Sequence, residues 1–280
     1  MKILVFGNGW LGNRVADYFH GVVSDANILD VNGVEEAIEV ERPHVVVNCA
    51  AKCGSPNIDW CAKPENRRIT QAVNGYGPRV LESVCGRRSV KMVHVSSGCI
   101  WESGANITET CKPEPPSWYS VTKVLGERLL KEPSTLVLRP RMPVDWCPHP
   151  RNLIDKLARY NRVLTEQNSV TVVTDLMRAM KALLEMDCSG VYHVANPGSV
   201  SGAWLMERYM EIVDSEHCFQ MVDMEYLREN KLITDGRSNV VLNTDKLASV
   251  GVELPDARDR VVDCLKEYAA CRSSTYPEAG

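Results

Sequence analysis

No stretch of this 280-residue sequence approaches the ~18 consecutive apolar residues that a membrane-crossing helix needs, and no membrane partner is expected. Basic excess is missing too. The formal net charge is −4, against the cationic surplus that a phosphate backbone selects, so no nucleic-acid partner is expected. The eleven cysteines include no CxxC pair. Cys49 and Cys53 stand four apart with no second ligand pair, and the six histidines form no metal or nucleophile arrangement, so no metal is expected. There is no internal repeat. The opening Met1–Phe6 is too short an apolar stretch for a signal peptide and runs straight into a glycine turn. The expectation is a cytosolic chain whose thiols mostly serve as small hydrophobes.

What is present is an alternation. Strands are expected at Ile3–Phe6, near Val22-Val23, at Val45–Asn48, Lys91–Val95 and Thr135–Leu138. Helical patterns separate them at Leu11–Phe19, Val34–Val40, Ile69–Val84 and Ser120–Leu130. Strands that alternate with helices predict an α/β fold with a doubly wound parallel sheet of Rossmann type, because parallel neighbours need crossover connections. After Pro143 the pattern changes, with amphipathic helices at Arg151–Tyr160 and Ala203–Val213 among long polar loops. Thr174–Met186 (helix) and Gly190–Val194 (strand) read as a return to the main sheet. The expected division is a nucleotide-binding domain over 1–144, rejoined by 172–196, and a smaller interleaved lobe over 145–171 and 197–270. A loose tail is expected over 271–280.

Gly7-Asn8-Gly9-Trp10-Leu11-Gly12 fits GxGxxG between the first strand and the first helix. Glycines there permit a tight turn and close approach of backbone to a pyrophosphate seated at the helix N-terminus. Asp25 lies near the end of the second strand, where an acid selects NAD. Arg14 is placed to meet a 2′-phosphate, and Asp30 to bond adenine. The balance favours NADP, with NAD left open.

Tyr119 and Lys123 stand four apart, on one helix face. A free phenol titrates near ~10, and a neighbouring ammonium is expected to bring it toward neutral pH. The lysine can also bond the nicotinamide ribose while the tyrosine protonates a carbonyl oxygen that receives hydride. Ser96-Ser97 ends the fourth strand, and Ser97 would hold the same oxygen.

With those pieces, Asn48-Cys49-Ala50-Ala51 and Asn74, the chain resembles the extended short-chain dehydrogenases/reductases. Within them it is similar to the dTDP-4-dehydrorhamnose reductases, and most to the bifunctional nucleotide-rhamnose synthase/epimerase-reductases of plants and some large viruses. The residues that carry this are Pro56–Cys61, Gly98–Glu102, Leu138–Pro143, Pro150–Ile154, Asn168-Ser169, Asn196–Gly198 and Arg237–Asn239. The segment between Glu102 and Tyr119 is shorter than in the plant members.

The resemblance implies conversion of UDP-4-keto-6-deoxy-D-glucose to UDP-L-rhamnose by epimerisation at C3 and C5, then reduction of the C4 ketone by NADPH. It implies a cysteine and a lysine as the epimerisation pair, here Cys99 and Lys156. Cofactor contact is implied for Gly7 through Gly12, Asp30, Ala50, Ala51, Asn74, Tyr119, Lys123 and Met142. Substrate contact is implied for Asn57, Asp59, Cys99, Asn152, Arg237 and Asn239. A homodimer is the usual assembly of the superfamily. The alternatives are a monofunctional dTDP-4-dehydrorhamnose reductase and a non-catalytic regulatory subunit with a reductase fold.

Overall fold

The computed structural model of the chain describes residues 1–275. Six parallel strands form the central sheet: β1 (Ile3–Phe6), β2 (Val22–Ser24), β3 (Val45–Asn48), β4 (Lys91–Val95), β5 (Leu136–Pro140) and β6 (Gly190–Val194). Their order is β6-β5-β4-β3-β1-β2, which is the expected doubly wound sheet. Each interior strand is buried on both faces, which explains their unbroken apolar runs. In β1, Ile3 and Val5 pack with Val45, Val47, Leu176 and Met180 on one face. Leu4 and Phe6 pack with Ile28, Val34, Ile38 and Leu81 on the other. The order reverses around β1, and ligands of open parallel sheets bind outside the carboxyl ends of the strands at such a switch point.

Several elements depart from expectation. The helix expected over Ile69–Val84 is three pieces: Pro64–Gln71, a wide π-turn at Ala72–Tyr76, and Gly77–Arg87. A Cβ on Gly126 would lie 2.3 Å from the Asn74 carbonyl oxygen, and one on Gly75 would lie 2.7 Å from Leu125. The wide turn therefore meets the helix Trp118–Leu129 almost backbone to backbone. The helix expected over Arg151–Tyr160 shortens to Leu153–Leu157. Two strands not expected, Ser103–Ile107 and Asn239–Leu242, pair in parallel.

A 19-residue helix, Ala257–Thr275, closes the described residues. Its stripe Ala257, Val261, Cys264, Leu265 and Tyr268 packs with Leu205, Met206 and Tyr209 in a second apolar core. The tail expected to be loose from Cys271 is thus helical through Thr275, because that stripe anchors the helix. The remainder of the expected tail, 276–280, lies outside the described residues.

Candidate active site

Four segments converge at the carboxyl ends of the strands: the glycine turn after β1, residues 49–53 after β3, Ser96–Cys99 after β4 and Arg141-Met142 after β5. Gly7 has φ +110, and a Cβ on it would lie 2.4 Å from the Ala50 nitrogen, so only glycine lets the first turn pass the third. A Cβ on Gly9 would meet nothing within 4 Å. The helix Trp10–Phe19 begins there with no side-chain cap. Its first-turn N–H groups have no intrahelical acceptor and face open space, the arrangement that takes a diphosphate. On this observation the residues fit a dinucleotide.

Asn74 is fully buried. Its Oδ1 accepts from Lys52 N at 2.7 Å, and its Nδ2 donates to Lys52 O at 2.9 Å and Thr122 Oγ1 at 3.1 Å. It clips the Ala50-Ala51 segment to the helix of Tyr119 and Lys123. The groups expected around the adenosine are committed locally. Arg14, expected to meet a 2′-phosphate, instead grips buried Asp145 at 2.7 and 3.1 Å. Asp25 accepts from Asn8 Nδ2 at 3.0 Å. Asp30 caps the helix Val31–Glu41 by accepting from Asn32 N.

The Ser97 hydroxyl bears on the Tyr119 phenol and favours its ionised form, and Ser97 Oγ accepts from Cys99 N at 3.0 Å. Ser117 caps the helix that carries Tyr119, accepting from Ser120 N at 3.1 Å. Ser120 Oγ in turn donates to Cys99 O at 2.5 Å. Ser96 faces the other way, donating to Glu127, which pairs with Arg139. Strand alternation thus separates the two serines, one into the pocket and one into the core.

Lys123 is buried at 1% exposure, and its Nζ donates to the Val95 carbonyl at 3.1 Å. Burial pulls its ammonium down to about 8, against the charge of Glu127. Burial also pushes the Tyr119 phenol above its ordinary range, with the nearby thiols Cys53 and Cys99 adding to the rise. This is the opposite of the expected lowering by the lysine. The dry surroundings disfavour the phenolate more than the Ser97 hydroxyl favours it, so Tyr119 holds its proton at neutral pH.

The Lys156 ammonium is drawn down by burial and feels Cys53, Arg151, Cys99 and Arg237. Asp59 and Arg237 pair with each other at 2.7 and 3.0 Å, while Asn57 Oδ1 accepts from Asp59 N at 2.9 Å. Asn239 accepts from Asn168 Nδ2 at 3.2 Å. Met142 adopts φ +42, a left-handed conformation, just past β5.

Asn152 does not reach the pocket. It is fully buried, accepts from Asp145 N and Ile154 N, and donates to Asp145 O and Cys147 O. With both its oxygen and its nitrogen engaged by backbone, it is a cap and a loop clamp, not a sugar contact.

Three pocket residues escaped the sequence reading. Cys53 accepts from Arg151 Nη1 at 2.8 Å and bears electrostatically on Tyr119, Lys123 and Lys156. Arg141 lies beneath Cys99, its Nη1 donating to Sγ at 3.0 Å. Arg141 and Arg151 stand inside the quoted motifs Leu138–Pro143 and Pro150–Ile154, the one signal for them. Cys53 carries none beyond its nearness to the Asn48–Ala51 segment.

A diphosphate cradle beside a proton-holding phenol and a buried lysine places the chain in the class of extended short-chain reductases. Residues 1–270 match the RmlD substrate-binding domain, and the chain belongs to that family, which includes rhamnose synthases and 4-dehydrorhamnose reductases. It is 29% identical over 287 residues to the bifunctional dTDP-4-dehydrorhamnose 3,5-epimerase/dTDP-4-dehydrorhamnose reductase of Arabidopsis thaliana, covering 95% of this chain and 93% of that protein. The crystal structure of the L780 UDP-rhamnose synthase from Acanthamoeba polyphaga mimivirus superposes with a TM-score of 0.88 at 27% identity, covering 95% of this chain and 99% of that one. The dTDP-4-dehydrorhamnose reductase from Bacillus anthracis, solved in complex with NADP, shares the fold at a TM-score of 0.80 and 19% identity, covering 95% and 96%.

Proposed function

We propose that this chain is a 3,5-epimerase/4-reductase that converts UDP-4-keto-6-deoxy-D-glucose to UDP-L-rhamnose with NADPH. One observation carries the reading. Cys99 is hydrogen-bonded to Ser97 and to Ser120 of the helix that carries Tyr119 and bears electrostatically on Tyr119 and Lys156, which supports one shared pocket for the proton donor and the proposed epimerisation pair. Similarity to the L780 synthase supports the uridine nucleotide, and the fold shared with a reductase holding NADP supports the cofactor.

NADPH, when bound against the glycine turn, supplies the hydride to C4. Tyr119, held protonated, gives its proton to the C4 oxygen, and Ser97 bonds the same oxygen. Lys123 bonds the cofactor ribose and restores positive charge beside the phenolate that forms. Before reduction, the C4 ketone acidifies the C3 and C5 hydrogens. Cys99 as thiolate takes a proton from one face of the carbon, and Lys156 as ammonium returns one to the other, with no net redox change. Arg237, oriented by Asp59, is the diphosphate anchor, since its fork meets phosphate oxygens in pairs. In this reading 1–144 with 172–196 holds cofactor, and 145–171 with 197–270 holds the sugar. The separate apolar core of the second lobe supports that division, although Leu247 and Val252 pack on the sheet core. The usual assembly of the resembled superfamily supports a homodimer.

The test is incubation with the keto sugar in deuterated water, with and without NADPH, followed by proton NMR. Deuterium at C3 and C5 without cofactor, then a rhamnose product with it, is the expected result. Cofactor consumption that yields a non-epimerised sugar would reduce the protein to a simple reductase.

A further inference from the structure

Arg141 is a cation without a counter-ion. It is 1% exposed and among the largest fully buried side chains. Among the described residues no carboxylate lies within ion-pair distance of it. Nη1 donates to Gly98 O at 3.3 Å, Ser238 Oγ at 3.1 Å and Cys99 Sγ at 3.0 Å. Nη2 donates to Ser238 O at 2.6 Å and to Asn168 Oδ1. Nε, also buried, has no partner. A guanidinium keeps its proton under all ordinary conditions, and an uncompensated buried charge is strongly unfavourable. Of the five acceptors around it, four are carbonyl or hydroxyl oxygens that cannot ionise. The fifth is a thiol.

We propose that Arg141 is the counter-cation that holds Cys99 as a thiolate in the resting protein, its buried Nη1 3.0 Å from Sγ with no carboxylate in competition. The thiol proton goes to solvent, and the sulfur lone pair so freed is the one that takes a carbon-bound proton. The assignment deepens the epimerase reading and rests on it only for the use made of the thiolate. The other titratable groups that bear on Cys99 fit. Tyr119, from the helix Trp118–Leu129, is held neutral by burial and does not compete for negative charge. Lys156, from Leu153–Leu157, is a second cation, partly exposed and free to exchange its proton. Arg141 cannot exchange its own, so it acts through Cys99 as a positioning residue. Burial lowers the guanidinium, and the charge of a Cys99 thiolate would oppose that lowering.

The test is alkylation of the full-length protein by iodoacetamide from pH 5 to 10, with Cys99 followed by peptide mass spectrometry. A free thiol titrates near about 8.5, and a neighbouring cation lowers it. The wild-type midpoint is expected below pH 7. In Arg141→Met it should move to about 8.5 or above, with a loss of reactivity at pH 6.5 of at least about tenfold. Arg141→Lys should recover part of the depression. A wild-type midpoint near 8.5 would overturn the proposal, as would an Arg141→Met protein, folded by its cooperative thermal unfolding, whose midpoint has not moved. A midpoint that moves in Lys156→Met and not in Arg141→Met would overturn it as well. Should Arg141→Met fail to fold, the wild-type curve and Arg141→Lys still decide. A low midpoint without deuterium exchange at C3 and C5 would sink the epimerase reading and leave the arginine assignment standing.

Discussion

Arg237 and Asp59, 178 residues apart in the chain, meet as a two-pronged ion pair with Nη1–Oδ1 at 2.7 Å and Nη2–Oδ2 at 3.0 Å. Burial alone would raise the Asp59 carboxyl, but the hydrogen bond and charge of Arg237 outweigh it and hold the group below its ordinary value. A depressed carboxyl adds stability above its unfolded value of about 3.9, and that share is lost as pH falls through the folded value. The pair is therefore intact across the working range.

Arg237→Ala is expected to raise KM for the nucleotide sugar roughly tenfold or more with a smaller change in kcat, since a diphosphate anchor binds ground and transition states alike. Asp59→Ala should do the same more weakly by freeing the guanidinium. Steady-state kinetics on both variants and the double variant check this. Purely additive effects would show that the pair does not act as a unit.

Tyr119→Phe should lower ketone reduction by about 10²–10⁴-fold while leaving deuterium exchange at C3 and C5 measurable. NADPH oxidation reads the first and proton NMR the second. Equal loss of both would contradict separate roles for Tyr119 and Cys99.

Reduction should decline above about pH 8, where Lys123 loses its proton. Its folded value lies below the unfolded ~10.4, so between the two the unfolded chain binds more protons and stability rises with pH. The buried ammonium is thus destabilising below pH 8. Lys123→Met should be more stable at pH 7 by roughly 1–3 kcal/mol and nearly inactive. Lys123→Arg should lose the alkaline limb. Thermal melts and a pH–rate profile from 6 to 10 test both statements, and an unchanged limb in Lys123→Arg would assign it to another group.

Cys99→Ala should abolish deuterium exchange yet still reduce a 4-keto-L-rhamnose substrate supplied ready-made. Persistent exchange in this variant would make Cys99 a packing residue.

Asn152→Ala should destabilise by about 1–3 kcal/mol, the expense of leaving buried backbone groups of residues 145, 147 and 154 unpaired. KM for the sugar should stay near wild type in the fraction that folds. Urea unfolding and kinetics on the same preparation separate the two effects.

The central sheet could be read because its signals are local. Strands buried on both faces must be continuous apolar runs, as Val45–Asn48 and Lys91–Val95 are, and a glycine turn between strand and helix announces itself. The helix Ala257–Thr275 was not expected, although its buried stripe from Ala257 to Tyr268 follows a helical period. The break at Ala72–Tyr76 could not be read, because it comes from the close approach of Gly126 to Asn74, a contact between segments 52 residues apart.

In the site, chemistry-bearing residue types and their spacing were enough to single out Ser97, Tyr119 and Lys123, and the resemblance added Cys99 and Lys156. What those groups can do was settled elsewhere. The direction in which Tyr119 titrates depends on how dry its surroundings are, which no spacing encodes. Asn152 became a cap and Arg14 a partner of Asp145 because polar side chains take the nearest buried partner the fold offers. Arg141 lies against Cys99, 42 positions before it, only because β4 and β5 are neighbours in the sheet. The residue types and the local periods were determined by the sequence alone. Tertiary structure decided which charges were buried together, since burial and pairing arise only where distant segments meet.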